Sequence, residues 1–155
     1  MDNATKPDYW NKRTKRDGRT SVVRCDYNTD KMVDITDEWW ESIKDYFSGN
    51  VLEVGCGWGR WAEKIDSVGE SYTGVDVCEE LVSRSREGYD IQLIEPCSLP
   101  FEDNTFDMVC TITVLQHISD PDMEATIQEM DRVLAESGKV LSVENTTPMD
   151  DFRSR

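Results

Sequence analysis

The sequence predicts an α/β fold in which helices flank a doubly wound, mostly parallel sheet of about five strands. Short apolar runs alternate with longer amphipathic segments, and glycines mark the boundaries between them. The run at residues 106–113 is apolar along most of its length, as a strand buried on both faces is. Such alternation gives right-handed crossovers, and therefore a parallel sheet with helices on both faces.

A helix is predicted ahead of the first strand. Thr36 is a suitable N-cap, acidic residues occupy the next turn, and Gly49 ends the helix. Its apolar side chains recur at roughly helical spacing, at Trp39, Trp40, Ile43 and Phe47.

Strands and helices then alternate along the chain. The predicted strands cover residues 51–54, 72–75, 91–94, 106–113 and 139–144, and a loop covers 96–104. The helices between the first three strands cover residues 58–67 and 79–87, and end near Gly69 and Gly88.

The last helix is predicted between the fourth and fifth strands. Pro121 fits its first turn, Asp120 is the expected cap, and the helix ends near Ser137 and Gly138. Its apolar positions are Met123, Ile127, Met130, Val133 and Leu134.

Charge divides the chain into two parts. Residues 1–24 carry seven basic and three acidic side chains, whereas the rest accounts for a charge of −19 within the net −15. We therefore expect a basic N-terminal arm or lid at residues 1–35 and an α/β domain at 36–155. An acidic domain repels nucleic acid and anionic membranes, so nucleic acid is expected to bind only through the arm.

The cysteines and the single histidine do not form a metal-binding pattern. The five cysteines are scattered, no Cys-x-x-Cys pair occurs, and His117 is the only histidine, so we expect no zinc site. No apolar run reaches the roughly 20 residues of a membrane span, and no secretory signal precedes the domain. We expect a cytoplasmic protein with reduced thiols and no membrane contact.

The turn after the first predicted strand carries the main functional signal. Gly55, Gly57 and Gly59 let a ligand approach the backbone at the start of a helix, although tight turns need glycine for structural reasons as well. Arg60 occupies the place of the third glycine in the dinucleotide fingerprint, which disfavours a nicotinamide cofactor. Asp76 ends the second strand, where a carboxylate can bind ribose hydroxyls.

Further segments follow in a fixed order. Residues 51–62, 74–76, 99–107, 115–118 and 132–141 resemble successive motifs of the class I S-adenosylmethionine-dependent methyltransferases, particularly the small-molecule, type-11-like branch. The resemblance implies a Rossmann-like sheet and an enzyme that uses S-adenosylmethionine and releases S-adenosylhomocysteine. Family members usually continue with further strands, so this C-terminally short chain is expected to be a fragment, a naturally short variant, or a chain that completes its sheet with a partner. The bare fifth-strand edge predicts a homodimer or a partner chain across it.

The resemblance also implies roles for individual residues. The glycine turn, including Cys56, would hold the methionine part of the cofactor, with Trp58 at its border. Glu53 would bind the amino-acid end, Asp76 the ribose and Val77 the adenine. Thr111 and Thr113 would lie near the amino group of the cofactor.

The adenine contact departs from the family pattern. Glu95 matches the acid that accepts the adenine amino group in the family. The next residue is Pro96, which has no backbone N–H, so the neighbouring contact is expected from Cys97 or Ser98.

His117 is the candidate general base, because its ordinary pKa suits proton transfer near neutral pH. A purely structural role in the following turn is the alternative. Tyr9 and Trp10 are candidates for a lid that closes over the site, while a disordered N-terminal end is equally consistent with the sequence.

Three functions follow from these expectations. The first is methyl transfer to a small-molecule acceptor. The negative charge of the domain favours a neutral or cationic acceptor over an anionic one. The second is RNA or protein methylation with the basic arm as the docking segment. The third is a non-catalytic, cofactor-binding subunit of a partner methyltransferase.

Overall fold

Five helices and seven strands are described in a computed structural model that covers residues 6–18, 25–26, 31–32 and 37–144. The helices are α1 (Pro7–Asp17), α2 (Asp37–Ile43), α3 (Ala62–Asp66), α4 (Glu79–Val82) and α5 (Asp120–Val133). The strands are β1 (Cys25–Asp26), β2 (Lys31–Met32), β3 (Asn50–Val54), β4 (Ser71–Asp76), β5 (Asp90–Leu93), β6 (Phe106–Ile112) and β7 (Leu134–Val143). Short 3₁₀ turns lie at Lys44–Tyr46 and Leu115–His117.

One sheet organises the domain. Its strand order is β5-β4-β3-β6-β7, and every pairing in it is parallel. Strands β1 and β2 form a separate antiparallel pair. The predicted five-stranded parallel sheet is thus confirmed. Because all five strands run in the same direction, their carboxyl ends meet at one edge, where α/β sheets bind ligands.

Both faces of the sheet are buried. On β3, successive side chains point to opposite faces. Val51 belongs to a core cluster with Trp40 and Trp61, whereas Leu52 belongs to a second cluster with Val133. The first cluster packs α2 and α3 against one face, and the second packs α5 against the other.

Two predicted helices are shorter in the structure. The prediction of a helix at 58–67 was wrong at its start, because the chain remains in turns until Ala62. The helix predicted at 79–87 ends at Val82. There the backbone N–H of Arg86 donates to the carbonyl of Trp58, and this bond draws the chain away from the helical path.

The boundary between α5 and β7 also differs from the prediction. The helix ends at Val133 rather than near Ser137, because the N–H groups of Asn104 and Thr105 donate to the carbonyls of Arg132 and Val133. Strand β7 therefore begins at Leu134, not at residue 139, and regular pairing resumes at Lys139 after a bulge.

The start of α5 requires a second correction. Its N-cap is Ser119, which has an extended backbone, and Asp120 is already the first helical residue. The helix preceding β3 is confirmed as α2, but its expected cap, Thr36, lies outside the described residues.

The N-terminal arm contains a helix that its sequence pattern did not predict. Pro7 lies in the first turn of α1, a favourable position for proline. Thr14 is fully buried against the thiol of Cys78, with 3.7 Å between Oγ1 and Sγ. Trp10 packs on a cluster that contains Trp58 and Leu81. Tertiary contacts of this kind stabilise helices that are too polar to form alone.

Gly74 leaves space for a buried polar contact on β4. A Cβ at this position would lie 2.7 Å from both the Cys56 thiol and the Tyr72 hydroxyl. The same hydroxyl donates to Glu53 on β3, at 2.6 Å. A side chain at residue 74 would therefore displace the donor of a buried carboxyl.

We expect Gly74→Ala to lower the free energy of unfolding by about 1–3 kcal/mol through overpacking. Thr73→Val is the matched control, because Thr73 is only partly buried and valine keeps its shape; its effect should stay within about 0.5 kcal/mol. Urea unfolding measures both. Equal effects of the two variants would contradict the role of Gly74.

Candidate cofactor site

The turn after β3 brings two strand ends together. Gly55, Gly57 and Gly59 have φ angles of 78°, 60° and 79°, in the left-handed region that favours glycine. A Cβ at Gly55 would lie 2.5 Å from Val114, and one at Gly59 would lie 2.4 Å from Ile91. The glycines therefore let the turn pass close to the segments that follow β6 and begin β5.

Asp76 ties this turn to the end of β4. Its carboxylate accepts the backbone N–H of Gly57 at 2.7 Å and that of Cys78 at 2.8 Å. Burial, to 9% exposure, raises the pKa of this carboxyl, and the backbone hydrogen bonds act in the opposite direction. Each carboxylate oxygen accepts one of these bonds and retains capacity to accept another.

Glu53 is almost completely buried beneath the turn, at 2% exposure. Burial raises the pKa of its carboxyl from 4.5 to about 7, although the Tyr72 hydrogen bond and the charge of Arg60 both lower it. Sequence analysis missed Tyr72, because nothing along the chain connects it to a carboxyl 19 residues away. The only available signal was Gly74, two residues later on the same strand face.

Cys56 contributes its backbone to the turn, while its side chain points inward. Its N–H donates to the carbonyl of Val75, and its thiol lies against Gly74. Burial raises the pKa of this thiol well above its ordinary value. Trp58 is likewise buried, beside Cys78, with the guanidinium of Arg86 5.4 Å from its ring centre.

The residues predicted near the adenine lie just beyond the ends of β4 and β5. Val77 is half-buried, and Glu95 and Ser98 are exposed. The N–H of Ser98 donates to the carbonyl of Glu95 at 3.3 Å, which closes a turn. Cys97 in this turn has a φ of 57°, and its thiol donates to the carbonyl of Asp122.

The two predicted threonines lie at the end of β6. Thr111 is buried, and its hydroxyl donates to Ser142 at 3.0 Å. Thr113 has a φ of 59° and donates its N–H to the carbonyl of Val143, so the chain turns away from the sheet at this residue.

A carboxylate from the end of β7 holds the 3₁₀ turn that carries His117. Glu144 accepts the backbone N–H groups of Val114, Leu115 and Gln116 at 3.1–3.3 Å. Sequence analysis treated Glu144 only as the last residue of a strand. Its role depends on residues about 30 positions away, which no local pattern indicates.

His117 faces α1. Its half-buried ring meets the Trp10 ring edge-on, with 5.4 Å between ring centres. Burial lowers its pKa, the charge of Arg13 lowers it further, and Glu144 opposes both. One ring nitrogen, Nε2, lies 3.1 Å from the side-chain nitrogen of Gln116.

Helix α1 crosses the carboxyl edge of the sheet. The side-chain oxygen of Asn11 accepts the N–H of Glu80 at 3.1 Å and the thiol of Cys78 at 3.3 Å. Lys15 adds an ion pair with Glu80. Since Trp10 reaches His117 beyond β6, the helix extends from the end of β4 to the end of β6, past the glycine turn between them.

Metal and membrane signals are absent from the part of the chain that the structure describes. There, no group of three or more His, Cys, Asp or Glu side chains could hold a metal ion. No helix in these ranges is long and apolar enough to cross a membrane. The cysteines whose side chains are described, Cys56, Cys78, Cys97 and Cys110, are free thiols.

The chain matches known proteins over the region that contains this site. The family described as "Methyltransferase domain", type 11, matches residues 52–142. A demethylmenaquinone methyltransferase from Staphylococcus aureus is 34% identical over 107 residues, which cover 63% of this chain and 43% of that protein. A probable tRNA methyltransferase 9B from Mus musculus is 30% identical over 115 residues, covering 70% of this chain and 25% of that protein.

A solved structure shares the fold over almost the whole chain. It is phosphoethanolamine N-methyltransferase 1 from Haemonchus contortus, in complex with phosphoethanolamine and S-adenosylhomocysteine. The TM-score is 0.70 at 16% identity, and the match covers 96% of this chain and 34% of that one. The chain thus spans less than half the length of these three proteins. By the match over residues 52–142, it belongs to the type-11 branch of the class I S-adenosylmethionine-dependent methyltransferases, a family whose cofactor is S-adenosylmethionine.

Proposed function

We propose that the protein transfers a methyl group from S-adenosylmethionine to a small-molecule acceptor. The observation that carries this proposal is the Asp76 carboxylate, held by two backbone N–H groups beside a glycine turn in which a Cβ at Gly55 or Gly59 would collide with a neighbouring segment. The cofactor, when bound, supplies a methyl group already activated by its sulfonium. The protein then has to bind the cofactor and the acceptor, align them, and exclude water from the site.

Different residues at the carboxyl ends of the strands would contact different parts of the cofactor. Asp76 binds the ribose hydroxyls and Glu53 the amino group of the methionine part. The backbone of the glycine turn, at residues 55–59, approaches the ligand with Trp58 at its border. The remaining contacts to the cofactor come from Val77, Glu95, Cys97, Ser98, Thr111 and Thr113.

The first test measures cofactor binding by calorimetry. Asp76→Asn should weaken binding of S-adenosylhomocysteine at least about tenfold, because it removes the charge that strengthens the hydrogen bonds to the ribose. Asp66→Asn is the matched control, since Asp66 is exposed at the end of α3 and should bind like the wild type. Failure of the wild type to bind would contradict the proposal.

Glu53 couples cofactor binding to stability. Its folded pKa of about 7 exceeds the ordinary value of 4.5, so the native state keeps a proton that the unfolded state has lost. The free energy of unfolding therefore falls as pH rises through this interval, by about 3 kcal/mol for this group. An ammonium group bound beside the carboxylate would remove this penalty.

We expect Glu53→Gln to reduce the loss of stability between pH 5 and pH 8, as measured by urea unfolding. Glu70→Gln, at an exposed position ahead of β4, should retain the wild-type pH dependence. Saturating S-adenosylmethionine should flatten the wild-type profile in the same way. Parallel profiles for wild type and Glu53→Gln would contradict the assignment.

His117 is proposed as the general base for an acceptor that arrives protonated. Its lowered pKa favours the neutral imidazole, the form that accepts a proton. Its ring lies after β6, at the end of the strands, and meets Trp10 edge-on, which supports this role. Tyr9 and Trp10, in the proposed lid of residues 1–35, would screen the reaction from water, with residues 36–155 forming the cofactor domain.

His117→Gln should lower kcat by roughly 10²–10⁴-fold while cofactor affinity is unchanged. The wild-type rate should increase with pH through an apparent pKa below about 6.5, and this acid limb should disappear in the variant. An unaltered rate and acid limb would remove the catalytic role.

RNA methylation is the second candidate. The similarity to a tRNA methyltransferase and the exposed cations Lys12, Lys15 and Arg16 on α1 favour it. Methyl transfer from labelled S-adenosylmethionine to a nuclease-treated small-molecule extract, compared with an RNA fraction, separates the two functions. Binding without transfer to either would favour a cofactor-binding subunit.

Two further proposals concern assembly and location. Strand β7 is the edge of the sheet, and Val140 on it is 51% exposed, which supports a homodimer or a partner chain there. The free thiols of the described cysteines support a cytoplasmic location.

A further inference from the structure

Helix α1 presents a guanidinium with incomplete hydrogen bonding. Nε of Arg13 is buried and has no hydrogen-bond partner among the described residues. Its Nη1 lies 3.4 Å from the Tyr9 hydroxyl, and its guanidinium carbon lies 5.5 Å from the centre of the Trp10 ring. A buried donor that lacks an acceptor is unfavourable, and a charged one more so.

Two carboxylates in this region, Asp17 and Glu144, are hydrogen-bonded to other donors, although the charge of Arg13 also acts on Asp17. Asp17, one helical turn further along α1, forms its short contacts with Arg16, at 2.6 and 2.7 Å. Glu144, on the far side of His117, accepts three backbone N–H groups. Within the described residues, Arg13 forms no ion pair with a carboxylate.

The position of Arg13 links it to the acceptor side of the site. Its charge acts on His117, and its guanidinium and the His117 ring both lie beside the indole of Trp10. These side chains come from α1 and from the turn after β6. Of the proposed cofactor residues, Asp76 lies at the end of β4, on the opposite side of β3 from the turn after β6.

We propose that Arg13 recognises the acceptor by binding an anionic oxygen group, a carboxylate or a phosphate, while the adjoining apolar part packs on Trp10. This inference rests on the proposed methyl transfer and names its substrate class. It replaces the expectation of a neutral or cationic acceptor, which rested on net charge. Exposed charges are screened over about 8–10 Å at physiological salt, so a partly buried guanidinium in the site has the greater effect.

The test uses the full chain saturated with S-adenosylhomocysteine, which binds the cofactor site without reacting. The probes are benzoate and phenyl phosphate, with benzyl alcohol and benzylammonium as neutral and cationic analogues. We expect either anion or both to bind at least about tenfold more tightly than the analogues, and Arg13→Gln to abolish this preference. The stronger of the two anions identifies the group as carboxylate or phosphate.

Lys12→Gln is the matched control, because Lys12 is exposed on the same helix. This variant should retain the anion preference. Both variants should bind S-adenosylhomocysteine with wild-type affinity, which shows that the fold and the cofactor site are intact.

His117 provides an independent readout, because it is the only histidine of the chain and gives a single set of ring signals in NMR spectra. Arg13→Gln should raise the pKa of His117 by removing a nearby positive charge, and a bound anion should raise it in the wild type. Lys12→Gln should leave the pKa of His117 unchanged. Glu144 is present in every variant, so its opposite effect cancels in the comparison.

The outcomes separate the proposed methyl transfer from the proposed recognition of an anionic acceptor by Arg13. If S-adenosylhomocysteine does not bind, the proposed function fails, and this inference fails with it. If it binds but the anions bind no more tightly than benzyl alcohol, or Arg13→Gln keeps the preference, the anionic acceptor is excluded and the proposed methyl transfer stands.

Discussion

The arrangement of the carboxyl edge depends on one buried carboxylate. Asp76 accepts the N–H of Gly57 in the turn after β3 and that of Cys78 at the start of α4. A buried carboxylate is stable only where such donors compensate its lost hydration. The same two bonds fix the positions of both backbone segments. Asn11 and Thr14 of α1 contact the Cys78 side chain in turn, so helix α1 is positioned through the same carboxylate as the turn.

The central strands β3, β4 and β6 could be predicted from the sequence because most of their side chains are apolar and buried. The antiparallel pair β1 and β2 could not be predicted. The short helices could not. Whether residues 83–87 continue α4 depends on the bond from the N–H of Arg86 to the carbonyl of Trp58, a residue that is distant in sequence. Helix α1 has the same origin, since Thr14 meets Cys78 across 64 residues. A helical sequence pattern is visible where apolar side chains recur along one face, whereas α1 docks through Trp10 and a few polar side chains.

The same limit applies to the candidate site. Gly55, Gly59 and Asp76 could be identified from the sequence, because backbone freedom and a strand-end carboxylate are properties of single residues at known spacing. Tyr72 and Glu144 could not, because each acts on a partner brought near only by the parallel register of the sheet. For Cys56 the prediction correctly placed a turn residue but could not indicate that its thiol points into the core.

Two side chains, Glu53 and Arg13, have buried groups in unfavourable states that a bound ligand of opposite charge would stabilise. Glu53 is a carboxyl so buried that ionisation is unfavourable, and Arg13 carries a buried donor that lacks a partner. An ammonium group would stabilise the first, and an anion would stabilise the second. Under the proposed function, these two charges would favour a cationic group of the cofactor near Glu53 and an anionic group of the acceptor near Arg13.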